Sequence, residues 1–197
     1  MLSNYIRAGK SETITDLLKG EHLWLLNTVY TFQVNMKRKK PIHGRSVPRT
    51  SDYTSSYLDD EDEVATLEVS PLHLAIISKQ SSSLEAILKE VVTSMAPSSL
   101  QMQESERNKI IDSRVKVIFP SDNASLYEDD GRMLDGMNIL HLAAKYYPEG
   151  LEVIIRFARK HERLYKDIKG LLFEQDNQIK NNPLHVAASS SSIVALR

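Results

Sequence analysis

Cysteine is missing from all 197 residues, so the chain has no disulfide framework and no thiol nucleophile. That suits a reducing compartment, and cytoplasmic placement, or the cytoplasmic face of a membrane protein, is the expectation. Also missing is any run of about eighteen apolar residues, the length a membrane-spanning helix needs. Met1 is followed by Leu2-Ser3-Asn4 and mixed polar sequence, without the charged start and apolar centre of a secretory signal. Neither sign of charge is in excess. With 25 Lys and Arg against 26 Asp and Glu, the net charge of −1 gives no global field for nucleic acid or a membrane. Catalytic signatures are absent too: there is no Gly-x-Ser-x-Gly elbow, no phosphate-cradling Gly-x-x-x-x-Gly-Lys loop and no His-Glu-x-x-His zinc helix. His161-Glu162 lacks the second histidine. We therefore expect no enzyme active site, no cofactor and no metal in this segment.

What the chain does have is one phrase written three times: Pro71-Leu72-His73-Leu74-Ala75, Ile139-Leu140-His141-Leu142-Ala143-Ala144 and Pro183-Leu184-His185-Val186-Ala187-Ala188. A phrase that recurs with its residue classes in order marks a repeated supersecondary unit, which needs a neighbouring copy to bury its apolar face. Each of the first two copies leads through a polar break into a second apolar run. After Ser81-Ser82-Ser83 come Leu84, Ile87, Leu88, Val91 and Val92, and after Pro148-Glu149-Gly150 come Leu151, Ile154, Ile155 and Ala158, both at helical spacing. The unit reads as helix, tight turn, helix.

On these residues the chain resembles the ankyrin repeat family, whose unit of about 33 residues opens with Thr-Pro-Leu-His-x-Ala. The fullest match is Asp135-Gly136-Met137-Asn138-Ile139-Leu140-His141-Leu142-Ala143-Ala144; Ser70 and Asn182 stand where the family prefers Thr in the other copies. A degenerate N-terminal cap is expected at residues 2–20, where Gly9, Ile14, Leu17, Leu18 and Gly20 fall at the family's positions and Tyr5 replaces a small Ala. The resemblance implies an all-α ankyrin-repeat solenoid, stacked helix-turn-helix units with β-turn fingers and long irregular insertions. It also implies that His73, His141 and His185 are structural, each bonding the finger backbone. Three imidazoles tempt a zinc reading, but equivalent positions in stacked units stand about 10 Å apart, too far to share an ion.

Spacing departs from the family, because the three histidines are 68 and 44 residues apart. The expected organisation is a capping repeat with an extra helix at 1–34, a mobile charged loop at 35–63, a repeat at 64–96, an insertion at 97–134, a repeat with an extended second helix at 135–175 and the start of a truncated repeat at 176–197. That truncation leads us to expect that the natural protein continues. The extra helix rests on Leu23, Trp24, Leu25, Leu26, Val29, Tyr30 and Phe32. The loop carries a basic run, Lys37 to Lys40, and an acidic one, Asp59 to Glu63, read as solvated and mutually neutralising. In the 97–134 insertion, an elaborated loop in preference to a decayed repeat, the run from Ile110 to Phe119 leans towards strand. Asp122 and Glu128 to Gly131 imitate a calcium loop, but Leu126 occupies a position that needs a carboxylate.

The expected function is protein–protein recognition by a non-catalytic module of a larger protein, acting as scaffold or recognition surface. The alternative is the cytoplasmic ankyrin domain of a transient receptor potential-type ion channel or of a signalling enzyme. Finger positions implied by the resemblance are Leu67, Glu68, Met133, Leu134, Met137, Ile179 and Lys180, with Lys145, Tyr146 and Tyr147 near the end of a first helix. Met and aromatic side chains there favour a protein partner, since both are enriched at interface cores. Nucleic acid is not expected.

Overall fold

The computed structural model describes residues 1–36, 63–94, 109–119, 134–177 and 180–190. Helices come in pairs: α1 (Leu2–Arg7) with α2 (Ser11–Leu18), α3 (Pro71–Ile77) with α4 (Ser81–Ser94), and α5 (Ile139–Tyr146) with α6 (Pro148–Arg159). A further helix, α7 (Glu162–Leu171), packs on α6, and α8 (Pro183–Ser189) packs on α5. First helices touch in the order α1, α3, α5, α8, while α2, α4 and α6 form a second row. The apolar spacing explains this, because Ile14 and Leu18, then Leu84, Ile87 and Leu88, then Leu151 and Ile154 face inward and are buried.

The connections inside the first two pairs are the same structure. In each, a residue with left-handed backbone ends the first helix: Gly9 at φ +67° and Lys79 at φ +53°. Gly9 N–H donates to the Ile6 carbonyl and Lys10 N–H to Tyr5; Lys79 N–H donates to Ile76 and Gln80 N–H to Ala75. Such bonds satisfy carbonyls left over at a helix end. Residues 2–18 therefore form a helix pair of the same build as 71–94. Ser83 Oγ then donates to the Ile6 carbonyl at 2.9 Å and joins the two pairs.

The fold is mixed α/β, which corrects the all-α solenoid expected from the sequence. Three antiparallel strands, β1 (Tyr30–Met36), β2 (Glu63–Val69) and β3 (Lys116–Ile118), form a sheet in the order β1-β2-β3. Tyr30 pairs with Val69, Phe32 with Leu67 and Val34 with Ala65. These residues alternate along their strands and turn one face of the sheet inward, with Leu67 and Val69 in the main core. Tyr30 and Phe32 thus belong to a strand instead of the expected extra helix, which shrinks to a 3-10 segment at Gly20–Asn27. Their period of two is masked in the sequence by the apolar run before it. β2 leads through Ser70 into α3, so a strand occupies the place of the expected β-turn finger.

Two expected boundaries also change. The second helix of the 135–175 unit does not extend: α6 stops at Arg159, and α7 starts at Glu162 after a break at Lys160 and His161. Of the expected charged loop, residues 35, 36 and 63 are strand; the rest, including both charged runs, lies outside the described residues. The calcium-like loop and residues 191–197 do so as well. The strand-leaning run in the insertion is helical at 109–111 and becomes β3 at Lys116–Ile118.

Lys79 keeps a side chain where a left-handed backbone favours glycine, at a cost of about 1–2 kcal/mol, partly offset by the entropy that glycine loses on folding. Lys79→Gly should therefore stabilise the fold by about 0.5–1 kcal/mol in denaturant unfolding. Unchanged or lower stability would contradict the reading of this turn.

Candidate functional site: the capping histidines and the expected partner face

Each recurring histidine sits at the third position of its helix, three residues after an N-cap Ser or Asn. Ser70, Asn138 and Asn182 accept the backbone N–H of His73, His141 and His185, and each histidine's Nδ1 accepts the N–H of its cap residue. This is a capping box in which imidazole replaces the usual Glu or Gln. It satisfies two of the donors orphaned at a helix start. The Ser/Asn-x-x-His spacing is present in the sequence and is the signal by which these caps could have been found.

With Nδ1 acting as acceptor, the proton of a neutral ring resides on Nε2, which faces the following unit. His141 Nε2 donates to the Asn181 carbonyl at 2.9 Å, and Asn181 immediately precedes the Asn182 cap. His73 Nε2 points towards the carbonyl of Met137, the residue before the Asn138 cap, without reaching hydrogen-bonding geometry. The histidine thus closes its own helix start with one nitrogen and addresses the approach to the next helix with the other. His185 is exposed.

Burial sets the charge state of these rings. Desolvation lowers the His73 pKa to about 3, against a small opposing influence of the Met137 carbonyl. Desolvation also lowers that of His141, opposed by the Asn181 carbonyl and by Asp176. Ser113 Oγ donates to Ser70 Oγ at 3.0 Å, and Ser70 Oγ lies 2.7 Å from His73 Nδ1. A hydroxyl beside an imidazole resembles a nucleophile and its base, but a ring held this far from protonation is a poor base near neutrality.

Around the third unit Arg114 is the residue that sequence reasoning missed. Its guanidinium donates to the carbonyls of Gly136 and Gln175, each at 2.9 Å, and to Glu174 Oε2 at 2.7 Å. Gly136 has φ +78°, and a Cβ there would run into Asn177, so only glycine fits this crossing. Asn138 Nδ2 donates to the Leu171 carbonyl at 3.1 Å, which ties α7 to the same point. A lone arginine in an insertion carries no sequence pattern that announces this role.

The expected partner-binding residues divide sharply. Met137 is fully buried, and Leu67 and Tyr147 are nearly so; they pack the core and present little to a partner. Glu68 lies on the outer face of β2 and pairs with Lys116 at 3.3 Å. Leu134 is half-buried. Lys145 and Tyr146 are half-buried at the end of α5, with the ammonium 5.0 Å from the ring centroid. Lys180 is exposed, with its N–H on Asp176 Oδ1. Met133 and Ile179 lie outside the described residues.

Two hollows lie elsewhere. An open trough of about 550 Å³ runs between α2 and α4, walled by Glu12, Asp16, Lys19, Glu85 and Lys89. A second, of about 310 Å³, is lined by Thr28, Ser70, Lys109 and Ser113 among others. Among the described residues no group of three or more histidine and acidic side chains is placed to hold a metal ion.

Because the folded rings resist protonation while unfolded histidine titrates near 6.5, the unfolded state binds more protons below that pH. Stability should be fully present above pH 6.5 and fall with acid, by up to about 1.4 kcal/mol per pH unit for each buried ring. Denaturant unfolding between pH 6.5 and 5, where most carboxylates stay ionised, measures the slope, and His73→Asn should reduce it. A flat profile would contradict the assignment.

Compared with family models, with curated proteins and with solved structures, the chain matches none of them.

Proposed function

We propose that this chain is a non-catalytic recognition module that binds a protein partner through the surface its paired helices and sheet hold rigid. The observation that carries the reading is the use of the repeated histidines, the residues best able to do chemistry: they are capped, and His73 and His141 are buried and held neutral. What such a fold delivers is a fixed surface. The resemblance of its three phrases to ankyrin repeats supports the same reading, since repeat modules act through extended surfaces and not through enclosed active sites. The absence of cysteine suits a module of the cytosol.

Within that surface and among the described residues, the partner-facing set shrinks to Glu68, Leu134, Lys145, Tyr146 and Lys180, since Leu67, Met137 and Tyr147 serve the core. Lys145 and Tyr146 are the strongest pair, a cation stacked on an aromatic ring that can meet both charged and apolar groups of a partner. A partner captured with the full chain and then purified should lose about tenfold or more in affinity to Lys145→Glu combined with Lys180→Glu, at matched salt and with an unchanged melting curve. Equal binding by the variant would place the interaction elsewhere, and failure to retain any protein would contradict the proposed function.

A further inference from the structure

Charge is balanced over the chain but not along it. Between residues 156 and 173 six Lys and Arg stand against two acidic side chains, Glu162 and Asp167. Three of the six, Arg163, Lys166 and Lys169, lie on α7 with both acidic residues, and Arg156 on α6 pairs with Glu85 at 2.7 Å. Leu164, Ile168 and Leu171 bury one side of α7, and the opposite side carries Tyr165, Lys166 and Lys169. Phe173, just past the helix end, is 71% exposed. Tyr165 and Lys169 are four residues apart on the helix, which places them on one stripe. Asp167 belongs to the other side, near enough to Asp112 that, after burial and Glu174, its charge helps to push that carboxyl up. Arg159 and Lys160 are exposed at the elbow between α6 and α7 and enlarge the basic area.

We infer that the outer face of α7 is a docking surface for an anionic lipid bilayer. Three features favour this occupant. A helix whose exposed side mixes lysines with aromatic rings matches the chemistry of the interfacial zone, where rings enter the headgroup boundary and ammonium groups stay with anionic headgroups. The exposed residues of this face line neither hollow described above, which suits an extended surface better than a small enclosed ligand. Finally, Glu162 pairs with Lys166 at 3.0 Å in an exposed contact, and such contacts are weak against an extended field of opposite charge. The proposed mode is surface attachment, and no described helix is long and apolar enough to cross a membrane.

The test is co-sedimentation of the full chain with vesicles of phosphatidylcholine alone or with about 30% phosphatidylserine, an anionic surface of the kind that attracts basic segments. Binding is expected to the anionic vesicles, to fall strongly between about 0.1 and 0.5 M salt as screening shortens, and to be much weaker on neutral ones. Lys166→Gln with Lys169→Gln should weaken it by about 30-fold, the effect of removing two basic groups near an anionic surface, with an unchanged melting curve because both side chains are exposed. Lys166→Glu with Lys169→Glu should weaken it further, because two repelled carboxylates are added. Equal binding to both vesicle types, full binding by the charge-reversed variant, or binding to RNA or an acidic peptide but not to vesicles would overturn the inference.

Discussion

An imidazole shared between two helix starts is the constraint on which the rest of the structure depends. A helix start leaves donors unsatisfied, and a buried start must satisfy them with protein groups. The Ser70–His73 and Asn138–His141 boxes do so inside the core, where a charged glutamate would be costly to desolvate and a neutral ring is not. Imidazole also retains a second nitrogen. At His141 that nitrogen holds the Asn181 carbonyl, so the cap of one helix fixes the approach to the next.

The remaining packing follows from that arrangement. Once first helices lie side by side, their partners α2, α4 and α6 meet as a second row and bury Ile14, Leu84, Ile87 and Ile154 between the rows. Burial of each such side chain is worth about 1.5–3 kcal/mol. The sheet closes the side from which the chain runs into α3, with Leu67 and Val69 directed into the same core. Arg114 performs the corresponding task ahead of α5, fastening the strand-bearing segment to the loop after α7. β2 precedes α3, and Val115 exchanges backbone bonds with Gly136 and Met137 ahead of α5; Leu67 and Met137, expected at finger tips, lie inside.

The helix pairs were legible because their apolar residues repeat at helical spacing and the histidine phrase recurs in register. Even the atypical first pair could be found from Gly9, whose positive φ matches that of Lys79. The sheet was not legible for a different reason. Tyr30 and Phe32 follow a 3-10 segment rich in leucine and tryptophan, so a short alternation is absorbed into a longer apolar run, while the partner strand lies far along the chain at Glu63–Val69. Strand pairing is a long-range property, and no local pattern specifies it. Burial of Met137 was hidden likewise, since its carbonyl accepts from the N–H of Val115, far back in the insertion.

Nitrogen NMR of the histidine rings tests the central claim most directly, because Nδ1 and Nε2 report separately whether each carries a proton. In ¹⁵N-labelled protein at about pH 5 the account predicts a His73 ring that is still neutral, with Nε2 protonated and Nδ1 bare, and a His141 ring whose titration midpoint lies below the ordinary value. Two doubly protonated rings at that pH, titrating near 6.5 as in an unfolded chain, would contradict it.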